Sequence, residues 1–299
     1  MKTVLVAGAT GYLGRHIARH YKAQGWHVRA LVRDAEKARG THLEAQELFE
    51  GAATDPDSLE GVMADVDLVI STLGITRQRD GLGYWDVDYQ ANLNILNQAL
   101  AAGVPHFAYI HVMNADKMPG VPLAAAKQAF ADRLAAAPIR STIIAPSGFF
   151  SDMSDFLAMA QAGRVWLFGS GQLRLNPIDG ADLAAALAEA IAEGRRIAPM
   201  GGPDILTQTE LAEAAFAALG TPPRITRLPD WIRRAAIRLL PWVTPAHIHG
   251  PALFFLSALG QDMVAPPRGT KRLSTHFAEE VQLRRTRTDT SRSARPQTP

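Results

Sequence analysis

The chain has 299 residues, 47% of them apolar and 20% charged, which is enough for one large folded body or for a body with a smaller lobe. It has no cysteine, so disulfides and thiolate metal sites are excluded. The formal net charge is +2, but residues 284–299 carry five arginines against Asp289, so residues 1–283 sum to −2 and the body offers nucleic acid no net attraction.

Thr3–Ala7 reads as a short apolar strand of the kind buried on both faces of a parallel sheet. Lys2 and this early strand give no secretory leader pattern, and no uncharged apolar run reaches spanning length, so a cytoplasmic protein without a transmembrane anchor is expected. Gly8-x-x-Gly11-x-x-Gly14 then opens an amphipathic helix that ends at Gly25, and a second strand covers His27–Val32. Strand, triplet, helix and strand in this order are the dinucleotide-binding fingerprint. Gly8 allows the turn off the strand tip, Gly11 admits a pyrophosphate to the backbone, and Gly14 lets helix and strand pack closely. The helix N-terminus faces the phosphates, so Gly8, Thr10, Gly11, Tyr12, Leu13 and Gly14 form the expected cradle.

Arg33 and Asp34 follow the second strand, where the adenosine ribose should lie. A carboxylate there suits the ribose hydroxyls of NAD, and a guanidinium suits the 2′-phosphate of NADP. Arg33 comes directly off the strand, so NADP is favoured, with NAD open and Arg15 placed to assist.

Asp57–Ala64 reads as a short helix and Val66–Thr72 as a strand, ending in a second close backbone approach at Thr72, Leu73 and Gly74, where the nicotinamide side of the cofactor would run. A helix over Tyr89–Ala102, a strand over Phe107–Val112, a helix over Leu123–Ala136 and a strand ending at Pro146 complete an α/β pattern of a Rossmann-like doubly wound parallel sheet. Lys127, early in its helix and just after a cofactor-facing strand, is a candidate for the nicotinamide ribose.

The pattern changes at Ser147. An aromatic and methionine-rich segment carries Phe149, Phe150 and Met153, a strand-like VWLFG follows, and Asp179 and Asp182 stand as capping residues at the start of another helix. Thr207 with Glu210 reads as a capping box ahead of the next helix, and RITRLP as a strand. The expected division is a dinucleotide-binding domain over 1–146, a smaller C-terminal substrate lobe over 147–283 partly interleaved with the sheet, and a disordered basic tail over 284–299. Asp230–Leu240 is basic and amphipathic, and 251–260 is strongly apolar. Core packing or the wall of a hydrophobic pocket accounts for both most simply. A membrane-surface contact is the alternative, because Arg233, Arg234 and Arg238 lie near Trp231 and Leu239.

The segments VLVAGATGYLGRHI and VRALVRD, supported by DPDSLEGVMADVDLVIST, AGVPHFAYIHV, TIIAPSGFF, NPIDGADLA and GGPDILTQTELA, resemble the atypical short-chain dehydrogenase/reductases over residues 1–220, specifically the NmrA-like and divinyl-reductase-like branch. The resemblance implies a Rossmann body that holds NAD(P), with a smaller lobe over the substrate. It includes reductases of hydrophobic small molecules, nucleotide-sensing regulators and an accessory subunit of respiratory complex I. In the wider superfamily a Tyr-x-x-x-Lys pair acts with an upstream Ser. Here Lys127 matches the Lys, Leu123 stands where the Tyr would be, and His111 stands where the Ser would be. Ala52 replaces a carboxylate often aimed at the adenine amine, and Ala145 stands where an arginine is frequent.

Two readings follow. One is an NADP-dependent oxidoreductase reducing a mostly apolar, quinone- or enone-like molecule, with Lys127 and His111 as candidate catalytic residues and Tyr84 or solvent as other proton sources. Imidazole suits acid catalysis at neutral pH, against a buried structural role for His111. Ene reduction takes a proton that water can deliver, so the missing Tyr excludes less there than in ketone reduction. The other reading is a non-catalytic NADP-binding sensor or assembly factor. Metal binding is not expected, since His16 with His20 and His247 with His249 lack a third ligand. No hydrolase elbow or P-loop frame is present.

Overall fold

The computed structural model describes residues 1–41, 43–75, 81–118 and 120–293, with side chains described as far as residue 286. The first half of the sheet runs through β1 (Thr3–Ala7), α1 (Tyr12–Ala23), β2 (His27–Val32), a short α2 (Ala35–Arg39), β3 (Glu47–Glu50) and β4 (Leu68–Ser71). The chain continues through α3 (Asn92–Ala101), β5 (His106–Ile110), α4 (Pro122–Ala135), β6 (Arg140–Pro146) and α5 (Phe150–Gln161). Then come β7 (Val165–Phe168), β8 (Arg174–Leu175), α6 (Gly180–Ala192), β9 (Ile197–Met200), β10 (Leu206–Thr207), α7 (Gln208–Leu219) and β11 (Ile225–Leu228). Three helices close the chain: α8 (Asp230–Val243), α9 (Ala246–Ala258) and α10 (Leu273–Ser293).

Seven strands pair in parallel in the order β3-β2-β1-β4-β5-β6-β9. Chain order runs outward in both directions from β1 and β4, so the crevice between their carboxyl ends is the topological switch point at which such sheets bind ligands. Both faces of the sheet are covered, which is why its central strands β1 and β4 read as near-continuous apolar runs. On one face Leu13 and Ile17 of α1 meet Leu183 and Leu187 of α6 over Val4, Val6 and Ile70. On the other, Ile95 and Leu96 of α3 and Phe130 and Leu134 of α4 pack over Leu5, Val69 and Phe107. Each such fully buried side chain contributes roughly 1.5–3 kcal/mol.

The sheet body reaches past residue 146, because α6 and β9 return from the later sequence to cover and extend it. The rest of the later chain forms its own cluster, with Phe150 and Phe156 of α5, Phe216 of α7 and Phe277 of α10 around the β7–β11 pair. Asp179 caps α6, accepting from the N–H of Ala181 at 2.8 Å and of Asp182 at 3.4 Å. Asp182 does not cap. Its carboxylate accepts from the N–H of Thr270 and of Lys271, both at 2.8 Å, and pins the approach to α10 across the start of α6. Thr207 and Glu210 form the expected capping box on α7.

Other elements differ from expectation. Asp57–Leu59 is a single 3₁₀ turn, too short and polar to propagate. A π-helical stretch, Trp85–Ala91, leads straight into α3. The segment from 284, expected as a disordered tail, continues α10 as far as Ser293. Phe277 and Val281 anchor the first half of that helix in the lobe, Glu280 pairs with Arg284, and propagation from an anchored turn costs little. Residues 294–299 of the expected tail lie outside the described residues.

Candidate functional site

The site is built on the loop leaving β1. Gly8 holds φ +81°, and a Cβ there would fall 2.5 Å from Thr72 Oγ1 at the tip of β4. A Cβ on Gly14 would fall 2.2 Å from the Gly8 carbonyl, so helix and loop touch through bare backbone. The Thr72 hydroxyl donates to the carbonyls of Ala7 at 3.1 Å and Gly8 at 3.2 Å, holding the two strand tips together. Thr10 and Gly11 are exposed. Gly11 is the N-cap of α1, no side chain caps that terminus, and its first turn holds no acid. Uncapped N–H groups and the positive dipole end therefore face the crevice.

The side chains of the next two residues turn away from the loop. Leu13 is buried in the core beside α6. The Tyr12 hydroxyl accepts from Gly180 N–H at 3.0 Å, and burial pushes the phenol up to about 12. What Tyr12 and Leu13 can offer a ligand is their backbone.

At the tip of β2 Arg33 is exposed. Asp34 is engaged locally as the N-cap of α2, accepting from Lys37 N–H at 2.9 Å and pairing with Lys37 Nζ at 2.8 Å, and those contacts hold its carboxyl below the ordinary range. Arg15 is exposed on α1.

The floor below Thr72, Leu73 and Gly74 is a buried polar network. Lys127 Nζ lies 3.2 Å from Asp88 Oδ1, 3.4 Å from the Leu73 carbonyl, 3.2 Å from the Ile110 carbonyl and 3.5 Å from the Tyr109 hydroxyl. Asp88 comes from the π-helical stretch and is fully buried; burial pushes its carboxyl up and the Lys127 charge opposes that. Its other oxygen accepts from Ile75 N–H at 3.2 Å. A Cβ on Gly74 would stand 2.6 Å from Asp88 Oδ1 and 2.9 Å from Lys127 Nζ, so the absent side chain makes room for the pair. Ser71 Oγ donates to Asn92 Oδ1 at 2.5 Å, and Asn92 donates to the carbonyls of Val87 and Asp88, fixing the π stretch beside β4. Sequence reasoning passed over Asp88, Asn92 and Ser71. The available signal was two short polar residues spaced i, i+4, Asp88 and Asn92, on one face of the helical run.

The proton donors considered from sequence sit less favourably. His111 does follow β5, but its Nε2 lies 3.1 Å from Gln128 Oε1, Nδ1 is buried without a hydrogen-bond partner, and burial pushes the imidazole down to about 4. Burial thus disfavours the charged ring at pH 7, in keeping with the structural role weighed against acid catalysis. Tyr84 is buried against Gly250 with its hydroxyl unpartnered, and burial followed by the Asp88 charge pushes it up to about 12. Leu123 is buried in the same apolar cluster, with Met118, Val121 and Leu253.

Another carboxyl lies near Tyr12 at the start of α1. Phe149, just past β6, packs edge-on against Tyr12 at 6.0 Å, and Asp152 in the first turn of α5 accepts from Phe149 N–H at 3.3 Å. Asp152 is exposed, although neighbouring protein still strips part of its water. Desolvation, with a lesser contribution from Asp155, pushes it up to about 6. Sequence reasoning read this segment only for its aromatic and methionine residues.

A model of the NmrA-like family matches residues 1–241. The chain belongs to the NmrA-like family. Among similar proteins is the chloroplastic divinyl chlorophyllide a 8-vinyl-reductase of Zea mays, 31% identical over 80% of this chain. The chain spans 64% of that protein's length. Photosystem II assembly factor Ycf39 of Synechocystis sp. (strain ATCC 27184 / PCC 6803 / Kazusa) is 28% identical over 77% of this chain and 72% of its own. Among solved structures, an NADPH-dependent quinone oxidoreductase from Escherichia coli complexed with NADPH superposes with a TM-score of 0.71 at 21% identity, covering 94% of this chain and 99% of that one. That likeness shows the Rossmann-like fold.

Proposed function

We propose that this NmrA-like protein binds NADP(H) across the switch-point crevice and reduces an apolar acceptor of the quinone or enone class. The observation that carries the proposal is the uncapped, acid-free N-terminus of α1 behind a glycine loop too tight for a side chain at Gly8 or Gly14. Such a loop is shaped for a pyrophosphate. Relatives and neighbours named for reductase activity support the same reading. The cradle would be Gly8, Thr10, Gly11 and Gly14 with the backbone of Tyr12 and Leu13. Arg33 would pair with a 2′-phosphate. Because Asp34 is taken up by α2, the carboxylate that would favour NAD is already engaged. The backbone at Thr72, Leu73 and Gly74 would border the nicotinamide half.

Bound NADPH would supply the hydride. Lys127 would orient the nicotinamide ribose by turning one N–H away from a carbonyl while Asp88 keeps its charge paired. Asp152, pushed up to about 6, would hold a proton for the acceptor, and for an enone water could deliver that proton instead. Phe149, half-buried against Tyr12, would give the pocket an apolar wall. His111 would serve as a neutral packing group. The test is NADPH oxidation against a panel of quinones, enones and aldehydes, with Asp152→Asn expected to lower turnover at least tenfold on substrates that need an acid.

A second reading has its own support. Leu123 fills the position of the missing Tyr, and Ycf39 relatives are named as assembly factors. On this reading the chain binds NADPH without using it. Tight NADPH binding with no turnover across the panel would favour it, and turnover on any member would retire it.

A further inference from the structure

Helix α8 has no buried residue, although nine of its fourteen residues are apolar. Residues 231, 235, 238 and 242, spaced i, i+4, i+7 and i+11, lie along one face, so Trp231, Arg238 and Trp242 share a stripe that Arg234 and Leu239 flank. Trp242 is 86% exposed and Val243 72%, and Ile248, just beyond the corner between α8 and α9, is exposed as well. Core packing accounts for α9, whose Leu253 is buried against α4, but not for this outer face of α8.

The charge on the hairpin is one-sided. From 230 to 260 the only acid is Asp230, against Arg233, Arg234 and Arg238. Arg233 turns inward, donating to Asp230 at 2.7 Å and to the Leu256 carbonyl at 3.0 Å. Arg234 keeps a 3.2 Å contact with Asp230, and Arg238 makes no ion pair among the described residues. Tryptophan and arginine on one exposed helical face, with apolar residues at the tip and no facing acid, match the chemistry of the bilayer interface, where indole sits at headgroup depth and guanidinium meets lipid phosphate. At 14 residues the helix is about 21 Å long, too short to cross the hydrocarbon core, so its geometry suits lying in the membrane plane.

We propose that the outer face of α8 and its corner with α9 dock the protein on an anionic lipid bilayer, with Trp231, Leu239 and Trp242 at the acyl boundary and Arg234 and Arg238 against lipid phosphates. The inference is independent of the redox reading.

The test uses the full chain with vesicles of phosphatidylcholine alone and of phosphatidylcholine with phosphatidylglycerol. Flotation is expected with the anionic vesicles and to fall with salt. Arg234→Gln with Arg238→Gln should weaken binding about tenfold, given that Arg234 already shares Asp230. Brominated acyl chains should quench tryptophan emission, and Trp231→Phe with Trp242→Phe should remove most of that quenching. All these side chains are exposed, so the variants should fold, and unchanged circular dichroism and melting would establish it. No binding to anionic vesicles would overturn the proposal. So would binding indifferent to these substitutions and without quenching, as arginines of the last residues would give. A dimer dispersed by Trp242→Glu, with no lipid binding, would also overturn it and assign the face to a second copy.

Discussion

Lys127 and Asp88 show how one buried pair can organise the crevice. Removing one partner leaves a desolvated charge, which costs about 3–5 kcal/mol, whereas removing both costs less. Urea unfolding should therefore find Lys127→Met severely destabilised, and the double variant Lys127→Met/Asp88→Leu recovering a large part of that loss. Additive losses would mean that the two side chains are not a pair. The histidines set the acid limb of stability. Burial, with the Arg140 charge adding for His106, pushes His106 and His111 each down to about 4, below an unfolded value near 6.5. Between those values the unfolded chain binds more protons, so stability is present above about 6.5 and drains as pH falls toward 4. Asp152 has the opposite sign: its folded value, about 6, lies above its unfolded one, so it favours folding at low pH and the benefit fades as pH rises from about 4 to about 6. Melting temperatures from pH 7 to 4.5 should fall overall, since the histidines that burial lowers, His16, His20 and His276 among them, outnumber Asp152 and Asp88, the carboxyls it raises, and His111→Asn should flatten the fall. Asp152→Asn should raise stability at pH 7, by less than its shift alone would give, because the side chain reaches water.

At the scale of elements, β1, β2 and the helix between them were legible because glycines punctuate them and apolar runs mark the strands. Thr207 with Glu210 was legible because a capping box is local, and Thr207→Ala should cost about 1 kcal/mol of stability. The π-helical stretch was not, since its stability rests on Asn92 reaching the carbonyls of Val87 and Asp88 and on Ser71 across the sheet, contacts that no periodicity announces. Asp182 was misread because a carboxylate in the first helical turn looks like a dipole partner whether or not a distant backbone claims it. Asp182→Ala should leave α6 intact and release the chain near 270. Faster amide exchange at Thr270 and Lys271, with little change in α6, would show this. Uniform loss of protection would return Asp182 to a capping role. For His111 the sequence located the position and left a buried structural role open, but the Gln128 contact that holds the ring was not legible.

Across the whole molecule, the sheet supplies the crevice, while α6 and β9 tie the later chain to the body that would hold the cofactor. Gly14→Ala should disturb both, since the added methyl would strike the Gly8 carbonyl; loss of nucleotide binding with a lowered melting temperature is expected, and wild-type binding would show that the loop has slack. Calorimetric titration of the purified chain with NADPH and NADH tests most directly whether the cradle takes a phosphorylated dinucleotide. Micromolar binding of NADPH, at least tenfold tighter than NADH and with that preference lost in Arg33→Ala, is the predicted result, one charge-assisted contact being worth about 1.5–3 kcal/mol. Failure of either nucleotide to bind at millimolar concentration would contradict it.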